Sequence, residues 1–400
     1  MRKVYVFTAL WTLDTYIPRF GTNATYALAD LTVTERYQLL ARVVEQGWVY
    51  LAKHLIEGVD RIMEENAVWL FLFVAPEYYF SRSSNAHAIS ETEKRNLVGR
   101  LATLSGGYTN LILVPGSIAW KKPIVRPDLE LRKKDSISGL RTGALKATSR
   151  LDKFNEQVKV SVRNELALIE SVIDREIDEV LADPWMKLSE KKRVASREFR
   201  YEKREALAKK ALDRLKTEQL QMTTNTSTAP ERCFLARNTA YAFYGGREVA
   251  RYHKRSNFHE VRVDESDGGY VMFEPGGGPD GSGDLFEVDG VKFGIEICFD
   301  HSLGFLSGFS TKKPHVQIIM SAAVKLVEKH VFVPPDCFIV HASSEATDTL
   351  AYCNTRSKVE KLAMLDDPAE RGTLRYAVLP FEIEQPRLLT LEDFIENKQK

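Results

Sequence analysis

Continuous apolar runs that alternate with segments of helical period constrain this chain more than any other feature of its sequence. The runs at 4–11 (VYVFTALW), 67–76 (AVWLFLFVAP) and 111–117 (LILVPGS) are typical of strands buried on both faces. Between the first two runs, residues 34–66 carry apolar side chains at helical spacing: Leu39, Val43, Trp48, Leu51, Leu55 and Ile62. The alternation predicts an α/β protein.

The C-terminal half continues this pattern with hairpins. Residues 238–254 read as two strands joined by Gly-Gly, and residues 285–298 as two strands joined by Asp-Gly, a strong hairpin signal. Two further buried strands are predicted at 315–323 and 337–344. The final run, 373–400, follows the last predicted core strand, and its apolar positions are expected to contact a neighbouring subunit: Val378, Leu379 and Phe381.

A strongly charged block interrupts the α/β pattern. Residues 121–222 contain 25 Lys or Arg and 18 Asp or Glu. Apolar spacing at 166–180 and at 207–215, separated by Asp-Pro, predicts two amphipathic helices that form a hairpin, and the block ends in a polar linker at 223–230. We therefore expect one domain built from 1–120 and 231–400, with 121–230 as a charged helical insertion. The insertion is either a solvated surface element or a lid or partner-binding segment.

Composition excludes several function classes. The whole chain carries 56 basic and 55 acidic residues, so no global charge favours nucleic acid or membrane surfaces. No apolar stretch approaches the roughly 18 residues of a membrane span, and the N-terminal apolar run lacks a signal-peptide cleavage site. The 4 cysteines show no C-x-x-C spacing, which favours a reducing compartment. We expect a soluble, cytoplasmic protein without nucleic-acid or membrane partners.

Motif spacing indicates neither a metal nor a cofactor. Gly276, Gly278 and Gly281 satisfy G-x-G-x-x-G, but a predicted hairpin follows them instead of the helix that phosphate binding requires. No P-loop, zinc-protease or serine-hydrolase motif occurs in the sequence. We therefore expect chemistry carried by side chains alone.

Three chemically capable residues stand at the ends of predicted strands. Glu77 ends the run FLFVAPE, Lys254 follows VARYHK, and Cys298 closes FGIEIC. Each residue has an ordinary structural explanation when taken singly, as an ion-pair or packing residue. Because ligands of open α/β sheets bind outside the strand ends, the three side chains can converge on one pocket.

These segments resemble a known family. FLFVAPEYYF, RYHKRSNF and VKFGIEICFDH, in this order, are similar to the three signature segments of the nitrilase superfamily of carbon–nitrogen hydrolases, and FEPGGG and LILVPGS resemble further segments of that family. The resemblance covers about residues 1–120 and 231–345. After Asp300 the chain departs from the family's usual Pro-Glu pair, which leaves the substrate class open.

The resemblance implies a fold and a mechanism. The fold would be a four-layer α-β-β-α sandwich. Glu77 would be the general base, Lys254 would stabilise the oxyanion, and Cys298 would form a thioester acyl enzyme. A second glutamate would be Glu265, with Glu260 as the alternative. The substrate would be an amide, with an N-carbamoyl amide or a nitrile as alternatives.

Several further expectations accompany this interpretation. Aromatic and imidazole side chains beside the motif residues are candidates for substrate contact, although such residues are more often core: Tyr78, His253, Phe299 and His301. The family commonly forms homodimers or higher homo-oligomers, so we expect one here. The competing hypotheses are a catalytically silent protein of nitrilase fold that binds a partner through its charged insertion, and a nucleic-acid-associated protein. The interleaved acidic residues of the insertion argue against the latter.

Overall fold

The computed structural model describes most of the two α/β portions of the chain. The described residues are 2–15, 30–58, 67–81, 88–124, 186–196, 233–256, 283–310 and 312–383, with a few positions between them: 28, 173, 177, 180–181, 199–200, 202–203, 270–273 and 276. Predictions for residues 59–66, 207–215, 223–230 and 384–400 lie outside these ranges.

Two mixed sheets form the centre of the described structure. The larger sheet has the strand order β15-β16-β1-β2-β4-β6-β5-β3, with β7 and β8 also paired to β6. Its strands are β1 (Arg2–Thr12), β2 (Val68–Val74), β3 (Ile89–Ser90), β4 (Leu111–Val114), β5 (Ser117–Ile124), β6 (Cys233–Tyr244), β7 (Arg247–His253), β8 (Tyr270–Phe273), β15 (Leu365–Pro368) and β16 (Thr373–Ile383). Strands β1, β2 and β4 run parallel, so the loops that follow them leave the same edge of the sheet.

The smaller sheet has the order β14-β13-β12-β11-β10-β9. Its strands are β9 (Leu285–Val288), β10 (Val291–Ile297), β11 (Val316–Ser321), β12 (Cys337–Ser343), β13 (Leu350–Asn354) and β14 (Val359–Lys361). Strands β10, β11 and β12 are parallel. The hairpins at Gly-Gly and Asp-Gly and the strands predicted at 315–323 and 337–344 are confirmed.

Helices are few among the described residues. They are α1 (Val33–Gly58), α2 (Glu91–Gly106), α3 (Leu188–Val194), α4 (Phe299–Ser302) and α5 (Phe305–Phe309), with 3₁₀ turns at Glu328–His330 and Ala346–Asp348. Helical backbone also occurs at the described positions 173, 177, 180–181, 199–200 and 202–203. Ser90 caps α2 in a capping box with Glu93. In the part of the chain that is described, none of the helices is both long enough and apolar enough to cross a membrane.

One apolar cluster joins the facing sides of the two sheets. It combines fully buried side chains of the larger sheet with those of the smaller one, among them Val6, Leu70, Leu72, Val114, Ile295, Ile297, Ile318 and Val340. The two sheets therefore pack face to face, as in a sandwich. This arrangement confirms the α/β class predicted from the apolar runs.

The outer faces of the two sheets are covered differently. A second cluster packs α1 and α2 on the larger sheet through Leu40, Val44 and Leu101. Over the smaller sheet, the described residues that cover Ile319 and Ile339 belong to loops and short turns. The fourth, helical layer therefore stays a prediction.

The C-terminal run corrects one expectation. Residues Thr373–Ile383 form β16, which pairs antiparallel with β1 across the whole length of that strand. This pairing directs Leu379 into the core between the sheets, where it is fully buried, while Val378 remains exposed. Leu379 and Phe381 thus have a core within their own chain, so the argument that these two side chains need a neighbouring subunit was wrong, and the homo-oligomer stays a prediction.

The described positions of the charged block include a small apolar cluster. Ile173 and Ile177 are buried there with Val194 and Phe199. In the predicted hairpin the helix of these isoleucines pairs with 207–215, which lies outside the described residues. The partners that the described residues supply are Val194, at the end of α3, and Phe199.

Two glycines provide a matched test of this fold. Gly116 lies at φ +78°, and a Cβ there would stand 2.3 Å from the Pro76 carbonyl oxygen, whereas a Cβ at Gly99 in α2 would meet no atom within 4 Å. We predict that Gly116→Ala lowers the free energy of unfolding by more than about 1 kcal/mol. Gly99→Ala should raise it by about 1 kcal/mol. Urea unfolding monitored by circular dichroism measures both changes, and a Gly116→Ala variant as stable as wild type would contradict the described turn.

Candidate active site

Glu77 lies in the loop that follows β2 and is completely buried. Its backbone is fixed from two directions: the Thr15 hydroxyl donates to the Glu77 carbonyl oxygen at 2.6 Å, and the Tyr78 amide donates to the Ser117 hydroxyl oxygen at 2.9 Å. Tyr78 has φ 59°, a conformation that costs a non-glycine residue about 1–3 kcal/mol and that surrounding contacts must maintain. The backbone that carries the Glu77 carboxylate is therefore held by the segment after β1 and by the start of β5.

A buried arginine supports the same loop from the helical side. Arg36 of α1 is fully buried, and its guanidinium donates to the carbonyl oxygens of Leu28 and Tyr79. The Tyr79 hydroxyl in turn donates to the Arg36 carbonyl oxygen at 2.7 Å. Helix α1 and the loop after β2 are thus joined by hydrogen bonds in both directions.

The Glu77 carboxylate contacts Lys254, as convergence of the strand ends requires. The Lys254 ammonium donates to Glu77 Oε1 at 2.8 Å, and the two side chains are only 2% and 0% exposed. The loop of Lys254 is fixed by its own backbone, since its amide donates to the Asn238 carbonyl oxygen and its carbonyl accepts from the Gly276 amide. Two charges withdrawn from water in this way require close pairing and further hydrogen bonds.

Asn238 supplies one of those hydrogen bonds and is not among the site residues predicted from the sequence. Its side-chain amide donates to Glu77 Oε1 at 2.8 Å. The residue lies on β6 and faces the sandwich interior together with Ala240 and Ala242. A signal was available, because an amide on the inward face of an apolar strand needs a polar partner.

Cys298 occupies a sharp turn between β10 and α4. Its backbone adopts φ 48° and ψ −107°, and its side chain is buried. The Cys298 amide donates to the Met320 carbonyl oxygen at 2.7 Å, and the Cys298 carbonyl accepts from the His301 amide at 3.0 Å. A strained strand-to-helix turn is the local geometry that presents nucleophiles in several hydrolase classes.

Asp300 joins the turn of Cys298 to the loop of Lys254. Its carboxylate accepts from the backbone amides of Arg255 and Ser256 at 2.8 and 2.7 Å, and from the Tyr252 hydroxyl at 2.5 Å. Burial raises the pKa of Asp300, and the positive charge of Lys254 is the largest opposing effect. The two residues after Lys254 are therefore hydrogen-bonded to the second residue after Cys298.

Two of the residues predicted to contact substrate are aromatic. Tyr78 is buried in a small cluster with Ala119 and Ala322, and the Lys254 ammonium lies 5.7 Å from the centre of its ring. Phe299 directly follows Cys298 and is partly exposed. Contact of either residue with substrate stays a prediction.

His253 has protein partners on both ring nitrogens. Thr239 Oγ1 lies 2.8 Å from its Nδ1 and Arg237 Nη1 lies 3.1 Å from its Nε2. Burial, reinforced by the positive charge of Arg237, lowers the pKa of His253 to about 3. Its neighbour Tyr252 belongs to the core between the sheets, so by strand alternation His253 lies on the opposite face of β7. Its predicted role in substrate binding is untested.

His301 is fully buried and lies 2.9 Å from the Glu296 carboxylate through its Nδ1. Glu265 and Glu260 lie outside the described residues.

Cys298, Cys337 and Cys353 are free thiols. Across the described ranges, no group of three or more His, Cys, Asp and Glu side chains is arranged to hold a metal ion.

Comparisons with known proteins give little further information. No family model matches the sequence, and no curated protein matches it either. A glutamine-dependent NAD(+) synthetase from Cytophaga hutchinsonii is 8% identical with a TM-score of 0.34, covering 94% of this chain and 43% of its own. One from Acinetobacter baumannii, in complex with ADP, is 10% identical with a TM-score of 0.38, covering 96% of this chain and 48% of its own. The chain spans less than half the length of these structures, and likenesses at this level assign neither fold nor activity.

The buried ion pair can be tested by a double-mutant cycle. Glu77→Gln and Lys254→Met should each lower the free energy of unfolding by about 3 kcal/mol, because each removes the closest opposite charge of a buried partner. The double variant should lose less free energy of unfolding than the two single variants lose together, with a coupling energy above about 1 kcal/mol. Chemical denaturation of the four proteins measures the cycle, and strictly additive effects would rule out the contact.

The buried state of His253 predicts a pH dependence of stability. Because the pKa of His253 is lowered to about 3, the folded protein keeps this ring neutral while the unfolded chain protonates it below about pH 6.5. The stability that the neutral His253 ring contributes is present above about pH 6.5 and is lost as the pH falls below it. Between about pH 7.5 and 5.5, wild type should lose about 1 kcal/mol more than His253→Gln. Parallel stability curves for the two proteins would contradict this assignment.

Proposed function

We propose that this chain hydrolyses a carbon–nitrogen bond outside the peptide backbone, with Cys298 as nucleophile, Glu77 as general base and Lys254 as the cation that binds the oxyanion. The observation that carries the proposal is the buried contact of Lys254 with Glu77 at 2.8 Å, in a loop that Asp300 joins to the turn of Cys298. The resemblance of the three segments to the nitrilase superfamily supports the same roles.

The first half-reaction acylates the cysteine. Glu77 takes the thiol proton of Cys298 as the sulfur bonds to the substrate carbonyl carbon, and the carbonyl π pair moves onto oxygen. The Lys254 ammonium and a backbone amide just after Cys298 stabilise this oxyanion. The intermediate collapses by breaking the carbon–nitrogen bond, and the departing amine takes the proton from Glu77. The product of this step is a thioester on Cys298.

The second half-reaction releases the acid. Water attacks the thioester while Glu77 accepts its proton, and the tetrahedral intermediate again places its negative oxygen beside Lys254. Breaking the carbon–sulfur bond returns the proton to the Cys298 sulfur. The cycle consumes one water for each amide bond and regenerates the enzyme without a metal or an organic cofactor.

The substrate we propose is an amide, with an N-carbamoyl amide and a nitrile as the alternatives. Tyr78, Phe299, His253 and His301 are proposed to shape the substrate pocket, and Glu265, or in its place Glu260, to assist as a second acid. The residues 121–230 are proposed as an insertion whose ends leave the sheet at β5 and return at β6, between the segments of Glu77 and Lys254.

A reactivity experiment tests the nucleophile. We predict that chloroacetamide, an electrophilic amide, alkylates Cys298 faster than the other thiols, and that Glu77→Gln slows this reaction on the order of 10²-fold. Cys298→Ala should abolish turnover in a panel of primary amides, N-carbamoyl amines and nitriles. Peptide mass spectrometry locates the adduct.

Cys353→Ala is the matched control, because it removes a free, partly exposed thiol of the same sheet. It should leave both labelling of Cys298 and turnover unchanged. Labelling confined to Cys233, Cys337 or Cys353 would defeat the proposal. Turnover that survives Cys298→Ala would do the same, and a folded wild type inactive on the whole panel would favour the catalytically silent alternative.

A further inference from the structure

Glu296 is a fully buried carboxylate that the proposed reaction does not use. It lies two residues before Cys298 on β10. Its neighbours Ile295 and Ile297 belong to the core between the sheets, so Glu296 projects from the opposite, outer face of the smaller sheet. A carboxylate buried on a strand requires an organised set of donors.

Three donors from three different segments meet this carboxylate. His301 Nδ1 lies 2.9 Å from Oε2, the Gln317 side-chain amide donates to Oε2 at 2.7 Å, and the Leu306 backbone amide donates to Oε1 at 2.8 Å. His301 belongs to α4, Leu306 to α5 and Gln317 to β11. The carboxylate therefore ties the strand before Cys298 to both short helices after it.

The orientation of each side-chain donor is fixed by a further contact. The Val327 backbone amide donates to His301 Nε2 at 3.0 Å, so the ring proton is on Nδ1 and points to Glu296. The Phe332 backbone amide donates to the Gln317 side-chain oxygen at 2.8 Å, so the Gln317 nitrogen also points to Glu296. The network has one consistent assignment of donors and acceptors.

We infer that Glu296, through His301 and Gln317, is a positioning residue that holds Cys298 in its strained turn. The inference rests on the proposed function, since it assigns Cys298 as the nucleophile. The Glu296–His301 contact joins the residue two places before Cys298 to the residue three places after it, across the position with φ 48°. Without this contact the turn can relax toward ordinary backbone angles and move the sulfur away from Glu77.

The test compares two carboxylate-to-amide changes in the same sheet. Glu296→Gln places an amide nitrogen among three donors, whereas Glu287→Gln changes an exposed carboxylate on β9. We expect Glu296→Gln to slow alkylation of Cys298 by chloroacetamide about 10²-fold and to lower kcat more than it raises KM. Glu287→Gln should match wild type in both measurements.

A second variant covers the case in which Glu296→Gln does not fold. Gln317→Met keeps the volume of the side chain and removes one of the three donors, and it should slow alkylation about 10-fold. Alkylation is measured well below the unfolding temperature of each variant. A variant with a lowered Tm but a wild-type alkylation rate would show a role in stability only and would overturn the inference.

Failure of the proposed function and failure of the positioning role give different labelling results. If chloroacetamide does not label Cys298 preferentially in wild type, the proposed function fails, and the inference fails with it. If wild-type Cys298 reacts fast and both Glu296→Gln and Gln317→Met react equally fast, only the positioning role is overturned.

Discussion

The contact between Lys254 and Glu77 is the interaction on which the arrangement of the site depends. Each charge loses several kcal/mol of hydration on burial, and the pair recovers this only at close range and with additional hydrogen bonds. The structure meets both conditions, with a 2.8 Å contact and a second donor from Asn238 at 2.8 Å. Because Glu77 follows β2 and Lys254 follows β7, the pair also fixes how the ends of two strands of the larger sheet meet.

The elements that could be predicted from the sequence are those with a local sequence signal. A continuous apolar run identifies a strand buried on both faces, and Asp-Gly between two such runs identifies a hairpin, whatever the rest of the chain does. The predicted strand boundaries also place Glu77, Lys254 and Cys298 just after the ends of strands, and the structure has β2, β7 and β10 end there. Glu77 and Lys254 are 177 positions apart, and they meet because β2 and β7 run in the same direction, so that their loops leave the same edge of the larger sheet.

The parts that could not be predicted depend on partners distant in the sequence. Leu379 was expected to contact a neighbouring subunit because nothing nearby in the sequence indicates that its strand pairs with β1, which lies far away in the sequence. Asn238 and Glu296 are polar residues buried within strands, and only the fold identifies their hydrogen-bond partners. Periodicity assigns such a residue to a face of the sheet but cannot say what it contacts there.

The segment 294–301, GIEICFDH, shows how a short sequence can maintain a strained turn. Ile295 and Ile297 anchor it in the core, while two carboxylates hold it from different directions. Glu296 accepts hydrogen bonds from α5 and β11 on the outer face of the smaller sheet. Asp300 accepts hydrogen bonds from the two backbone amides that follow Lys254. Relaxing φ at Cys298 would break hydrogen bonds at a buried carboxylate on either side of it, and each such loss costs about 1–3 kcal/mol, as much as the strain itself. The turn is therefore stable because polar burial opposes its relaxation, and hydrophobic packing alone would not select this backbone conformation.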